Sequence, residues 1–513
     1  MSNVRKLFSV NAIIFVSLFI GFLNNVAIGG FFGLSRSVDA YFAANILGSM
    51  FMYLIVDYVG KNFLPIYATR FHESPEKAGE MASIVVTLLA LVAAFIVVLL
   101  LIFAEPIFTL LLPGFSVEDV QITTRMFAIQ APSIVLMTIN NLNQYVWQHD
   151  ENYNRVAFAR LFLPLGLLFF ITGGYFFGSV YALSMGFLAG HLMSSLVLIY
   201  RLPYRFRPQI DFRNPDVRKI LTNSALLTGT GLIARLRGPI MQYFGSQLGE
   251  GAIAAMSIAM KLCRPIYKTC LMGVHMIVFS RSAREVAKGN VDKLADIYNY
   301  ALSAVLLGTM PIAVWMGLNA EPLINVLFLR GEFTSAMAAL AVLALLGTVA
   351  NIVFQGLVKL LSHSFYAMHK IVIPMVVMPL GTVVFFIATK YLSEAYGLFG
   401  LTLANSVVGA MMTVVMAFIL AYILPKFSAV LVVRRIVSYL VLAAIGGFAG
   451  LKFSEFAGLD GLSRLIVSFV ILLIPYIGLL WVSQETIFVR VLKSLRTATA
   501  SRNSDTGEQS GAG

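Results

Sequence analysis

The sequence predicts an all-α polytopic membrane protein with about fourteen transmembrane helices, and three observations predict it. Of 513 residues, 59% are hydrophobic and only 12% are charged, which excludes an ordinary soluble globule. Apolar windows of roughly 20 residues, each long enough to cross a bilayer, recur along the whole length. The connections between these windows alternate in charge.

The first apolar run follows Arg5 and Lys6 without a small-residue cleavage site behind it, so it reads as a retained helix rather than a signal peptide. Taken between charged or Gly/Pro breaks, the first six spans fall near 8–32, 41–68, 81–104, 123–147, 156–178 and 181–201. The next six fall near 219–246, 252–280, 298–319, 337–361, 371–392 and 397–424. Two more lie near 431–452 and 463–489. One set of connections holds Arg70, Arg155, the arginines of 201–218, Arg281, Arg284, Lys426 and Arg434, and both basic tails belong with it. The other set holds Glu105, Glu118, Asp119, Glu250, Glu321, Glu332 and Glu394, with little positive charge beyond Arg36 and Arg330. An even span count and the excess of cations on one side place both termini in the cytoplasm. The net charge of +13 then faces anionic membrane lipids, and nucleic acid is not needed to explain it.

An internal repeat divides the chain. AEPIFTLLLPGFS at 104–116 is echoed by AEPLINVLFLRGEFT at 320–334, and SVDAYFAANIL at 37–47 more weakly by GAIAAMSIAMKL at 251–262. The domain organisation follows from the repeat. An N-terminal lobe of six helices occupies 1–200, a basic cytoplasmic linker 201–218, and a C-terminal lobe of six helices 219–430. Two additional helices occupy 431–492, and 493–513 is a disordered tail, being rich in Ser, Thr and Gly. Six spans per repeat give both lobes one orientation, and a substrate site is expected between them.

The residues that carry chemistry are cations inside the apolar segments 231–275: Arg235, Arg237, Lys261, Arg264 and Lys268. Each such charge costs roughly 2.5–3.5 kcal/mol at the centre of a bilayer helix, so a compensating partner is needed. Lys261, Arg264 and Lys268 share one helix face by their spacing, and Pro239 and Pro265 each remove a backbone bond beside a cation. Some of these side chains could snorkel to an interface. The alternative is a water-filled cavity that receives an anion. Asp39 and Asp57 are candidate counter-charges for the empty cavity. The run NNLNQYVWQ at 140–148 offers amides and aromatic rings for sugars, or else marks a helix end at the interface. Cys263 and Cys270, seven residues apart on one helix, lie about 10 Å from each other, too far for a disulfide. His191 and His275 are each alone and read as packed residues. No metal cluster, nucleophile–base pair or phosphate loop is evident, so neither an enzyme nor a cofactor is expected.

The segments FFGLSRSVDAYFAA at 31–44, LLPGFS at 111–116, GAIAAMSIAMKL at 251–262, LFLRGEFT at 327–334 and KLLSHSFYAMHKIVIP at 359–374 resemble the MurJ (MviN) lipid II flippases. The resemblance covers about the first 430 residues. It implies the multidrug/oligosaccharidyl-lipid/polysaccharide (MOP) flippase fold, two six-helix lobes around a central cavity plus two helices. It also implies a bacterial inner-membrane protein of peptidoglycan biosynthesis. Such a protein moves an undecaprenyl-diphosphate-linked saccharide to the outer leaflet by alternating access. A coupling ion or the membrane potential would drive it, and other envelope-synthesis proteins would be its further partners.

The chain departs from the family pattern at several places. Asn24 and Asn25 stand where the first helix carries an arginine–acid pair, and no cation precedes Lys61 in the second helix. The family's Tyr-Ala-Asp-Arg-Leu is here Ile258, Ala259, Met260, Lys261 and Leu262, whereas Asp39 matches. The expected substrate ligands are therefore Arg235, Arg237, Lys261, Arg264, Lys268 and Lys61, with Asn24 and Asn25 from the first helix. An exopolysaccharide or O-antigen-type lipid-linked oligosaccharide is the alternative cargo. A cation-coupled drug exporter and a transport-dead scaffold are the other readings.

The charge pattern makes a topological prediction. With Cys263 and Cys270 replaced, a cysteine at position 210 should be protected from an impermeant maleimide added outside intact cells, and one at position 250 should react. The opposite pattern would invert the topology.

Overall fold

The computed structural model describes residues 2–482, without the side chains of 2–8, 51–58, 61, 225–232, 234, several between 272 and 291, and those after 478. Met1 and the tail 493–513 expected to be disordered lie outside the described residues, as do Arg490 and the other basic residues of that tail.

The chain is helical in every element described. The first half runs α1 (Ser2–Phe32), α2 (Arg36–Glu73), α3 (Pro75–Ile102), α4 (Ala104–Leu111), α5 (Val117–Gln130), α6 (Pro132–His149), α7 (Tyr153–Phe177) and α8 (Ala182–Ile199). It continues with α9 (Pro215–Arg235), α10 (Arg237–Ser246), α11 (Ala252–Ala287), α12 (Val291–Leu318) and α13 (Ala320–Phe328). Then come α14 (Ser335–Val349), α15 (Asn351–Ala367), α16 (Val372–Ile423), α17 (Ala429–Phe456) and α18 (Gly461–Val482).

Local chemistry sets six of the starts. Ser74 accepts from the Lys77 amide ahead of Pro75, Asn152 from Arg155, Asn290 from Lys293 and Ser428 from Leu431. Asn214 accepts from both Asp216 and Val217 ahead of Pro215, and Ser116 with Asp119 forms a reciprocal capping box for α5.

Among the described residues, ten helical segments are long and apolar enough to span a membrane. One of them, α16, runs for 52 residues, and Gly397 at φ 58° and ψ −134° divides it between the expected spans 371–392 and 397–424. Three expected spans, 41–68, 219–246 and 252–280, fall within α2, α9–α10 and α11, outside the apolar set. Those helices hold Arg235, Arg237, Lys261, Arg264, Lys268 and Asp57. The protein is a multi-pass helical membrane protein.

The breaks follow the repeat. α3 gives way to α4 at Phe103, and α12 to α13 at Asn319; α5 gives way to α6 at Ala131, and α14 to α15 at Ala350. Between α9 and α10 the helix breaks at Leu236, where Pro239 withholds the amide that Arg235 would bond. Pro265, by contrast, is carried inside a continuous α11.

The chain forms two compact units. The first comprises residues 1–262, 327–344 and 378–404. In it α2 packs on α5, α6 and α9, α1 on α7, α3 on α6, and α7 closely on α8. Its buried core around Phe63, Tyr67 and Leu142 extends to Tyr204 of the linker. The second unit comprises 263–326, 345–377 and 405–513. There α12 packs on α15 and α17, and α17 crosses α18. At that crossing a Cβ on Gly450 would lie 2.4 Å from the Ser468 carbonyl oxygen.

Within the first unit, the two repeated turns make reciprocal contacts. The Gly114 amide donates to Ser246 Oγ at 3.3 Å, at the end of α10. The Glu332 amide, beside Gly331, donates to the Gly30 carbonyl at 2.9 Å, near the end of α1. A Cβ would fall 2.0 Å from the Ser246 oxygen at Gly114, and 2.1 Å from the Gly30 oxygen at Gly331, whose φ is +59°. Backbone meets backbone at both places, which only glycine permits. Gly331→Ala should therefore destabilise the protein by at least about 1 kcal/mol, through left-handed strain and the clash together. Thermal unfolding in detergent would register this as a lower midpoint. An unchanged midpoint would show that the turn can move away from Gly30.

Candidate functional site

The reciprocal turns flank a polar cluster built on Asp39. This carboxylate is fully buried in the first turn of α2. Its Oδ2 accepts from the Gly251 amide at 2.8 Å, and its Oδ1 from the Ala254 amide at 2.7 Å. These are the residue before α11 and the third residue within it, the two positions that an N-capping box satisfies. The cap of α11 is thus supplied from 212 residues away in sequence. A carboxylate at a helix N-terminus meets unpaired amides and the positive end of the dipole together.

Arg36, one turn before Asp39, gathers the remaining charges. Its amide donates to Glu250 Oε1 at 2.8 Å, and its guanidinium lies 3.8 Å from Asp39 and 3.7 Å from Asp119. The guanidinium also sits over the Phe115 ring, 4.9 Å from its centroid. Four ionic side chains from α2, α5 and the connection before α11 therefore meet beside the Gly114 turn. The cluster is one-sided. Around the opposite turn, Gly29 packs against Phe328 and Phe333, and the Leu34 amide points at Met337 Sδ at 3.3 Å.

The intramembrane cations are distributed differently. Lys261 on α11 is half-buried, its Nζ 4.2 Å from the centroid of the Phe42 ring on α2. Arg237 opens α10, half-buried, donating to Thr382 Oγ1 at 3.4 Å and lying 5.5 Å from the Phe385 centroid. Arg235, Arg264 and Lys268 are exposed, the first in the last turn of α9 and the others on α11. Asn24 is buried and donates to the Pro164 carbonyl at 2.9 Å, while its Oδ1 is left without a partner. Asn25 donates back to Gly21 of its own helix at 2.9 Å. The side chains of Lys61, Asp57 and His275 lie outside the described residues.

The polar run 140–148 packs inward against its neighbours. Asn140 donates to the His191 carbonyl, Trp147 to the Leu198 carbonyl at 2.9 Å, and Asn143 accepts from Tyr204 at 3.1 Å. His191 is buried with its ring 4.7 Å from that of Phe187, as a packed residue. Sequence reasoning missed the Arg36 cluster. The signal was present: Arg36 is one of only two cations named among the acidic connections, so its carboxylate partners had to come from that set. The aromatic partners of Lys261 and Arg237 left no signal, because Phe42 and Phe385 are ordinary apolar residues in sequence.

Residues 28–476 match the family described as lipid II flippase MurJ. The chain belongs to that family. Among its relatives, a probable lipid II flippase MurJ from Buchnera aphidicola (subsp. Acyrthosiphon pisum, strain APS) is 23% identical over 391 residues, covering 73% of this chain and 75% of that one. A probable lipid II flippase MurJ from Bdellovibrio bacteriovorus is 23% identical over 485 residues, covering 91% of this chain and 92% of that one. Among solved structures, a lipid II flippase MurJ in an inward closed conformation superposes with a TM-score of 0.76 at 19% identity, covering 94% of this chain and 98% of that one. An inward-facing multidrug resistance MATE family transporter of the MOP superfamily gives 0.66 at 16% identity, over 82% and 99%. This chain therefore shares its fold with both of these transporters.

The trans cap makes a prediction. Asp39→Asn keeps the size but offers one acceptor oxygen where two amides now bond, and should weaken the contact by about 1–2 kcal/mol. A cysteine placed at Leu248 should then react faster with an impermeant maleimide. An unchanged rate would mean that the turns alone hold the contact.

Proposed function

We propose that this chain is a lipid flippase that carries lipid II, the undecaprenyl-diphosphate-linked peptidoglycan precursor, from the cytoplasmic to the outer leaflet of the bacterial inner membrane. The observation that carries this reading is the family match over residues 28–476. Nothing is made or broken in such a reaction. The protein has to bind a diphosphate, shelter it from the hydrocarbon and expose it alternately on either side. In this reading both termini and the linker are cytoplasmic, the two lobes are 1–200 and 219–430, and the Arg36–Asp39 contact holds the outer side shut. Opening that side exchanges two amide–carboxylate bonds and an arginine cluster for water, so closure is stable yet reversible.

The diphosphate is assigned to Lys261, Arg264 and Lys268 on α11, with Arg235 and Arg237 nearby in sequence. The Lys261 ammonium over the Phe42 ring would exchange that face for phosphate oxygens. A second cargo, an exopolysaccharide or O-antigen-type lipid-linked oligosaccharide, is favoured by one observation. Asn24 and Asn25 stand in the place of the family's first-helix arginine–acid pair and bond backbone carbonyls.

Two strains test the assignment, one depleted of its lipid II flippase and one lacking its O-antigen flippase. Restored growth in the first supports lipid II, and restored polymer export in the second alone supports the other cargo. Neutral substitution of Lys261, Arg264 and Lys268 together should abolish rescue at normal membrane abundance. Lys261→Arg should be tolerated, and Arg264→Lys should be milder than Arg264→Gln, because charge is retained while only the bidentate geometry is lost. Full rescue by the neutral triple variant would remove these residues from the site.

A further inference from the structure

The connection between α8 and α9 is built onto the first unit. Tyr204 is buried, with its hydroxyl donating to Asn143 Oδ1 at 3.1 Å, and its Cβ so close to α3 that a Cβ on Gly79 would lie 2.9 Å away. Three residues on, the Arg207 amide donates to Ser83 Oγ at 3.3 Å. Residues 204–207 are thus fixed along the second and third turns of α3. Burial pushes the Tyr204 phenol above its ordinary range, so it stays a neutral donor at any physiological pH.

That attachment sets the depth of the connection. α3 has 28 residues. At about 1.5 Å per residue it extends about 42 Å, against a hydrocarbon core of about 30 Å. Roughly its first four residues therefore lie in the headgroup layer, and the Gly79–Ser83 stretch sits at the boundary between headgroup and hydrocarbon. At this level the connection exposes Phe206 (41%), Ile210 (63%) and Phe212 (65%), interleaved with exposed Arg205, Arg207 and Arg213. Within 201–213 four arginines face a single carboxylate, Asp211, which accepts from the Arg213 amide at 2.8 Å. Beyond it, Asp216 is bound by Arg70 at 2.6 Å. Water accommodates the arginines but not three large apolar side chains in seven residues. Hydrocarbon does the reverse. An anionic bilayer surface accepts both, with rings and aliphatic chains at the acyl boundary and guanidinium groups on phosphates.

We propose that residues 205–213 form a strap that docks on anionic phospholipid headgroups, anchored to the helices by Tyr204 and Arg207. The occupant is the lipid surface rather than a protein, because charge and apolarity alternate along a segment that α3 holds at the membrane boundary. This site is separate from the transported lipid and does not depend on which glycan is carried.

The full chain with Cys263 and Cys270 replaced by serine, carrying Phe212→Cys labelled with an environment-sensitive fluorophore, tests this in nanodiscs. One set contains phosphatidylcholine alone, and the other includes phosphatidylglycerol. Both contain a lipid with a nitroxide high on the acyl chain. Quenching should be stronger with phosphatidylglycerol and should fall as salt rises towards about 1 M, where screening acts within about 3 Å. Each of Arg205→Gln, Arg207→Gln and Arg213→Gln should lower the ratio of docked to undocked strap by about fivefold. If those variants do not fold, the salt and lipid dependence of the unsubstituted strap gives the same readout. Equal quenching in both lipids would overturn the anionic site. Absence of quenching in either would mean that the strap faces water or a soluble acidic partner, and would overturn the proposal as a whole.

Discussion

The buried carboxylate of Asp39 is the contact on which the surrounding structure depends. A charged group with no exposure to water is costly unless its oxygens are met by donors. Here both oxygens meet amides that the first turn of α11 cannot satisfy by itself. Each partner thereby removes the other's penalty: the helix end gains its cap and the carboxylate gains its donors. The pair ties the first turn of α2 to the first turn of α11.

Around that contact the two turns marked by the sequence repeat meet helix ends. The turn that ends the third span of one half touches the end of the first span of the other, and the converse contact is made as well. Close backbone approach gives both contacts their specificity, and glycine at 114 and 331 makes them sterically possible. The halves differ in what surrounds the turns. One side gathers Arg36, Asp39, Asp119 and Glu250, and the other gathers Phe328, Phe333 and Met337. An apolar contact and an ionic one respond differently to salt and to local solvation, so the two sides of the duplicated contact have different sensitivities.

Two of the cations in the segments 231–275 meet aromatic rings. Lys261 and Arg237 rest near aromatic rings, whose negative faces offset part of the cost of leaving water. Family membership and the MOP fold give these residues a context, while the sequence gives them an unusual location. The first helix holds Asn24 and Asn25, and the cations cluster within 231–275.

Much of the fold was legible in the residues. Apolar windows located the helices, because a bilayer demands about twenty apolar residues per crossing. Pro239 marked the break at Leu236, since a missing amide acts within one turn, whereas the caps at Ser116, Asn152 and Asn214 came into view only with the helices they start. The repeat at 104–116 and 320–334 marked the two turns that later proved to be tight contacts. By itself, then, the sequence determined the class, the helix positions and the candidate cations. Only the tertiary structure decided which groups meet: Asp39 with α11, Arg36 with Asp119 and Glu250, Lys261 with Phe42, and the 140–148 run with α8 and Tyr204. The physical reason is range. Caps and proline breaks act within a few residues and leave a pattern in the sequence, whereas these pairings join groups up to 219 positions apart, and only the packed chain brings them within bonding distance.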